Sequence, residues 1–186
     1  MGTSQFLSVS YALYAANAGN VTNGGGFKHY IGEQFGGGVM FHLWKDTQGV
    51  EHGLVVALTD QSASAVWSNV TDIEVGSAAQ SSWNGLANSN AIVAQAGHTS
   101  SAAKLCLDLV SGGQSDWYLP SIDELSLLWH NMFNVNKSLF VIIGAKQLSY
   151  LANYWSSTEN RNNQALGYGA LTTKNETFYV RAVRAF

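Results

Sequence analysis

The run Gly53-Leu54-Val55-Val56-Ala57-Leu58-Thr59 restricts the fold more than any other segment of this chain. It is too apolar and too rich in β-branched residues for a surface element, so it reads as a buried strand. Tyr30 to Trp44 reads as two further short strands around Gly36-Gly37-Gly38, with Asp46 to His52 as the connecting hairpin and His52 as a turn residue. Strand-like segments return only at the far end, at Tyr154 to Ser157, Gln164 to Leu171 and Phe178 to Phe186. The middle has helical spacing. Trp83 to Gln95 and Ser100 to Val110 are predicted helices, the second stopped by Ser111-Gly112-Gly113. Directly after Pro120, Ser121-Ile122-Asp123-Glu124 forms a capping box, and Ile122, Leu125, Trp129, Met132 and Phe133 follow as a core-facing stripe. Strands of one sheet separated by a helical middle define an α+β chain.

A chain of 186 residues with 46% hydrophobic residues fills one core. Residues 1–28 read as an N-terminal extension from an upstream module, with Asn17 to Gly26 as a flexible linker, and 29–186 as the folded domain. Charged residues are only 11%, so the surface must be built from Ser, Thr, Asn, Gln and Gly, a chemistry commoner on extracellular proteins than on cytosolic enzymes. The net charge of -3, with no basic stripe, gives no reason to expect nucleic acid as a partner. No apolar run approaches the ~20 residues of a membrane span, so no membrane insertion is expected. Met1-Gly2-Thr3 lacks the basic start of a signal peptide.

Chemistry that would mark an enzyme is missing from the pattern. The five histidines, His29, His42, His52, His98 and His130, have no metal-ligand spacing. Gly36-Gly37-Gly38 is not followed by Lys-Ser or Lys-Thr, and no Gly-x-Ser-x-Gly occurs. The single Cys106 lies in the apolar stripe Ala102, Leu105, Cys106, Leu109, Val110, and is read as a buried thiol. Capping accounts for Glu124. The expectation is therefore a non-enzymatic chain with no catalytic residues, no cofactor and no metal.

The last third differs in kind. Between Asn153 and Thr177, 13 of 25 residues are Ser, Thr, Asn or Gly, interspersed with Tyr154, Trp155 and Tyr168. Rigid amphipathic aromatics beside small hydrogen-bonding residues are the chemistry of antibody paratopes. A polar surface loop is the plainer reading, but the stiff apolar strands on either side supply a platform. Two readings stay open for Arg181 and Arg184: an anionic ligand, or structural pairing, for example with Asp116 or Glu124. Trp67 and Trp83 would suit sugar stacking on a surface, yet Trp is mostly buried and both are read as core.

Asp116-Trp117-Tyr118-Leu119-Pro120-Ser121-Ile122-Asp123-Glu124-Leu125, then Tyr154-Trp155-Ser156-Ser157-Thr158, then Tyr179-Val180-Arg181-Ala182-Val183-Arg184 together resemble the family named after the C-terminal domain of the Lcl collagen-like adhesin. The similarity runs from about His29 to Phe186. It implies a C-type-lectin-like fold of the formylglycine-generating-enzyme-like branch: a small twisted antiparallel sheet, two to three helices, and long loops on one face. The calcium-dependent sugar motifs Glu-Pro-Asn and Trp-Asn-Asp are absent, and the cysteines used to make formylglycine have no counterpart here. Neither activity is implied.

The C-terminal end, with Tyr-Trp-Ser-Ser-Thr-Glu, an Asn-rich stretch and Tyr-Val-Arg-Ala-Val-Arg-Ala-Phe, is similar to variable proteins of diversity-generating retroelements. Such systems mutagenise template adenines, and Asn codons are favoured targets. The resemblance implies a variable ligand-binding set of Asn160, Asn162, Asn163, Leu166, Tyr168, Ala170, Leu171, Thr172, Thr173, Asn175 and Thr177, with Leu166 near a position where relatives carry a scaffold aromatic. Gly2 to Ala15 is similar to a segment that joins upstream modules of bacterial surface proteins to a C-terminal head. The expected partner is an unknown protein or glycan ligand, on a cell surface or phage particle. By family resemblance alone, a homotrimer is open. The alternative is an invariant carbohydrate-binding adhesin head.

Overall fold

Alternate residues of the Leu54–Ala57 run serve two different cores, which is why the run lacks polar alternation. Val55 and Ala57 pack with Met40, Trp67, Trp117 and Trp155, whereas Leu54 and Val56 pack with Val39, Phe41, Leu125, Leu128 and Leu139. A computed structural model describes residues 26–161, 164–167 and 170–186.

The N-terminal strands are β1 (Gln34–Phe35), β2 (Gly38–Lys45), β3 (Glu51–Ala57) and β4 (Ser62–Val66). The helical middle holds α1 (Gly85–Ala94), α2 (Ala102–Leu107), α3 (Ile122–His130) and α4 (Met132–Val141), with a 3-10 turn at Gly76–Ala79. The chain ends in β5 (Trp155–Arg161), β6 (Gln164–Gly167), β7 (Ala170–Thr173), β8 (Thr177–Val180) and β9 (Val183–Ala185). The α+β expectation holds. Instead of one sheet, however, the described residues form three antiparallel ones: β1-β2-β3-β9, β4-β8 and β5-β6-β7. Among the described residues the α-helices number four, not two to three.

The β2–β3 hairpin follows from Asp46. Its Oδ1 accepts the N–H groups of Gln48 at 2.9 Å and Val50 at 2.8 Å, and Gly49 supplies the positive φ of 79°. The Val50 hydrogen bond is the main reason that the Asp46 carboxyl is held below its usual pKa. His52 is not in the turn but in β3, opposite Trp44. Farther along, β9 returns to the sheet beside β3, pairing Val55 with Arg184 and Val56 with Val183. The predicted single strand Phe178 to Phe186 is split because the chain changes sheets at Arg181-Ala182. Arg181 holds that crossing: Nε donates to Asp60 Oδ1 at 2.7 Å, Nη1 to Ala57 O at 2.8 Å and Nη2 to Lys146 O at 2.9 Å.

The capping box is present. Ser121 Oγ accepts from Glu124 N, and Glu124 Oε2 accepts from Ser121 N at 2.7 Å. Glu124 also accepts from Tyr118 Oη at 2.9 Å and Gly85 N at 3.2 Å, and its burial raises its pKa. A Cβ at Gly85 would collide with that carboxylate and with Ser121 N, so close approach requires glycine there.

Two helix readings need correction. Phe133 is 67% exposed: the buried positions Leu125, Leu128, Met132, Val135 and Leu139 keep one spacing of three and four across the break at Asn131, and Phe133 lies beside that stripe, not in it. The Trp83 to Gln95 helix starts two residues later: Asn84 is its N-cap, accepting from Ala87 N at 3.0 Å, so Trp83 stays outside. The second predicted helix is also shorter, since Asp108 closes it after Leu107. Cys106 is buried as read, and burial raises its thiol pKa.

Candidate functional site

The base of the C-terminal region is core. Tyr154 and Trp155 are buried, so these two aromatics are scaffold and not part of a contact surface as the composition suggested. Trp155 stacks on Phe178 with centroids 4.4 Å apart and donates Nε1 to Ala65 O at 2.8 Å. Each following residue of β5 is tied down in turn. Trp67 Nε1 donates to Ser156 O at 2.8 Å, Ser156 Oγ donates to Leu166 O at 2.6 Å, and Ser157 N donates to Pro120 O at 2.7 Å. Thr158 Oγ1 donates to Ser81 O at 2.9 Å and accepts from Ile122 N at 3.1 Å. The Tyr-Trp-Ser-Ser-Thr motif is therefore an anchor that locks β5 to the helical middle.

Glu159 completes it. Its Oε1 lies 2.5 Å from Lys174 Nζ, and both side chains are 0% exposed. Backbone N–H groups of Val75 and Gly76 donate to the same carboxylate at 2.9 and 2.7 Å. Lys174 Nζ also donates to Ile73 O at 3.1 Å and lies 4.9 Å from the centre of the Trp67 ring. An ion pair buried so completely is tolerated only with its remaining hydrogen-bonding groups satisfied. It clamps the latter half of β5 to the turn after β7. Neither residue stood out in the sequence.

Above this clamp the sheet divides into two faces by strand alternation. Ala165, fully buried, pairs with Thr172 and Glu159 on the inner face. Gln164 pairs with Thr173, and Leu166 with Leu171, on the other. Leu171 is 52% exposed, while Gln164, Leu166 and Thr173 are part-exposed. Asn160 Nδ2 reaches Gln164 Oε1 at 3.5 Å. Asn160, Leu166, Leu171 and Thr173 of the expected set thus share one face, and Gln164, not in that set, joins them. Thr172 lies on the opposite face, with Ala165. Ala170 pairs with Gly167, and Asn175 and Thr177 are exposed about the turn into β8. Asn162, Asn163 and Tyr168 lie outside the described residues.

The two arginines are both structural. Arg184 makes a bidentate pair with Asp116, at 2.7 Å to Oδ1 and 2.8 Å to Oδ2, and that contact lowers the Asp116 pKa. Arg181 pairs with Asp60. Of the two tryptophans read as core, Trp67 is buried, but Trp83 is 73% exposed. Among the described residues, no group of three or more His, Cys, Asp or Glu is placed to hold a metal, and no helix is long and apolar enough to cross a membrane.

No curated protein matches this sequence. The family model described as the Lcl C-terminal domain matches residues 56–184, which begins within β3 and takes in the helical middle, the β5 anchor and the β5-β6-β7 sheet. That match covers more than half of the sequence, and the chain belongs to the Lcl C-terminal domain family, an adhesin-like family.

Proposed function

We propose that this is a non-enzymatic ligand-binding display domain of C-type-lectin-like type, borne on a bacterial surface or phage particle and diversified at its C-terminal sheet by a retroelement. The observation that carries the reading is the division of β5-β6-β7 into a fixed inner layer and an exposed outer one. Glu159, Ala165 and Lys174 are buried and paired or packed, whereas Asn160, Gln164, Leu166, Leu171 and Thr173 share the other face, exposed or part-exposed, with a long Asn160–Gln164 contact between side chains. A surface built this way accepts side-chain replacement without loss of fold, which is what a diversified contact surface requires. Leu171 supplies apolar area, and Asn, Gln and Thr supply directional hydrogen bonds. If several heads share one stalk, weak single sites gain avidity.

The test is on DNA. Sequencing the gene's surroundings should reveal a near-copy of its 3′ end beside a reverse transcriptase, differing at adenines in codons of the outer face. A neighbourhood without such a copy would return the invariant adhesin head to first place.

A further inference from the structure

A second exposed surface lies away from the display sheet, and its parts come from three separate segments. His42 and Trp44 on β2 and His52 on β3 form a continuous aromatic ladder: His42 and Trp44 are stacked at 5.7 Å, Trp44 and His52 at 5.4 Å, with interplanar angles of 25° and 26°. All three project from the sheet face that α3 covers, beside the first turns of that helix. Trp83, just before the α1 N-cap, faces it across a shallow cleft of about 180 Å³ that Leu54, Asp123 and Leu127 help to line.

These tryptophans differ from the others. Trp67, Trp117 and Trp155 are buried and donate their indole N–H groups to the carbonyls of Ser156, Gln114 and Ala65. Trp44 is 38% exposed and Trp83 73%, and neither indole N–H has an acceptor among the described residues. Two large apolar rings facing one another at the surface, with N–H groups open to solvent, leave both ring faces and donors available to a ligand. Thr158 holds the carbonyl of Ser81, and Ser82 Oγ donates to Asp123 Oδ2 at 2.6 Å, so the Trp83 loop is braced and not loosely hung. The other carboxylate oxygen of the exposed Asp123 accepts nothing among the described residues.

We infer that this cleft binds an uncharged glycan, with pyranose rings stacked on Trp44 and Trp83 and hydroxyl groups donating to Asp123. Aromatic planes match the C–H faces of a sugar ring, and the free indole N–H groups and carboxylate match its hydroxyls. Asp123 and the neighbouring Glu124 disfavour sulfated or carboxylated sugars by like-charge repulsion. The volume is below the about 300 Å³ at which enclosed drug-sized pockets begin, which suits one or two sugar units laid on a surface. This site is independent of the display sheet and of its diversification.

The experiment is an NMR titration of the ¹⁵N-labelled full chain with cellohexaose, xylohexaose, mannohexaose, maltohexaose and chitohexaose, each to about 10 mM, and with a proline decamer. At least one glycan should shift the Trp44 and Trp83 indole signals and leave those of Trp67, Trp117 and Trp155 in place. W83A should weaken that binding about tenfold, the loss of one stacked ring, with an unchanged thermal midpoint. D123N should weaken it less, and a Leu171→Ala, Thr173→Ala variant should bind as the wild type does. Silence with all five glycans, an equal affinity in W83A, or binding of the proline peptide alone would each overturn the proposal. Because each overturning outcome is read at Trp44 and Trp83 and not on the outer face of β5-β6-β7, failure here leaves the display reading untouched.

Discussion

Glu159 and Lys174 meet at 2.5 Å with no exposure of either side chain, and they hold opposite ends of the sheet that carries the proposed display face. A contact of this kind is expensive to break from one side. In Lys174→Met the Glu159 carboxylate would remain buried, still accepting from Val75 and Gly76 but without its counter-charge. The expected loss is about 3–5 kcal/mol, or roughly 6–20 °C in thermal midpoint for a chain of this size. Adding Glu159→Gln should recover a large part of it. Urea denaturation of both variants checks this, and a single mutant as stable as the wild type would mean that the pair does not anchor the sheet.

Asp116 and Arg184 give a pH dependence with a definite sign. The guanidinium lowers the Asp116 pKa in the folded state. Such a group contributes stability above its unfolded pKa, and the contribution disappears as pH falls through the depressed folded value. Asp116→Asn should therefore be less stable than wild type at pH 7, with the difference shrinking steadily as the pH is taken down through and below the ordinary carboxylate range. Because the Asp116 side chain is 51% exposed, solvent screening keeps the effect small. Denaturation midpoints measured from pH 7 to pH 2 should converge; parallel curves would show that the pair is not what titrates.

The sequence carried local rules well and long-range pairings poorly. The capping box at Ser121–Glu124 needs only residues three apart, and it was legible. So was the burial of Leu54 to Ala57, which β-branched composition announces. The strand β4, Ser-Ala-Ser-Ala-Val, has no apolar signal of its own and exists because β8 pairs with it. Phe133 was misplaced because an apolar residue next to the stripe reads like a member of it: Leu125, Leu128, Met132, Val135 and Leu139 are the buried series, and Leu128 and Val135 were passed over for Trp129 and Phe133. The arginines were recognised as candidates for pairing, and Asp116 was one of the partners named; Asp60 was not, since 121 residues separate it from Arg181. On the β5-β6-β7 sheet, composition marked a segment but could not assign its faces. Only the register with β7 places Gln164 beside Thr173 and turns Thr172 away.

Trp67 and Trp83 should respond to truncation in opposite ways. Trp67 fills the core, donates to Ser156 and lies against Lys174, so Trp67→Ala should cost about 3–5 kcal/mol. Trp83 makes no comparable packing, and Trp83→Ala should change stability by no more than about 0.5 kcal/mol. Equal losses in the two variants, measured by chemical denaturation, would place Trp83 in the core after all and remove the aromatic cleft with it.

The division of β5-β6-β7 predicts where substitution is tolerated. Outer positions Asn160, Gln164, Leu171 and Thr173 contribute side chains to solvent or to one another, so replacing each by all other residues except proline should shift stability by about 0.5 kcal/mol or less in most cases. Inner positions have no such freedom. At Ala165, a fully buried site on the face that Glu159 occupies, any larger side chain must displace packed neighbours, at a cost of about 1–3 kcal/mol. Trp155 leaves a cavity and an unpaired Ala65 carbonyl when truncated, which puts Trp155→Ala among the most damaging changes in the chain. A saturation library displayed on yeast and selected for protease resistance measures all of these together. The expected pattern is alternation along β6 and β7, with tolerance at 164, 171 and 173 and intolerance at 165. Uniform intolerance across both faces would mean that the outer layer is structural, and the sheet could not then carry a diversified contact surface.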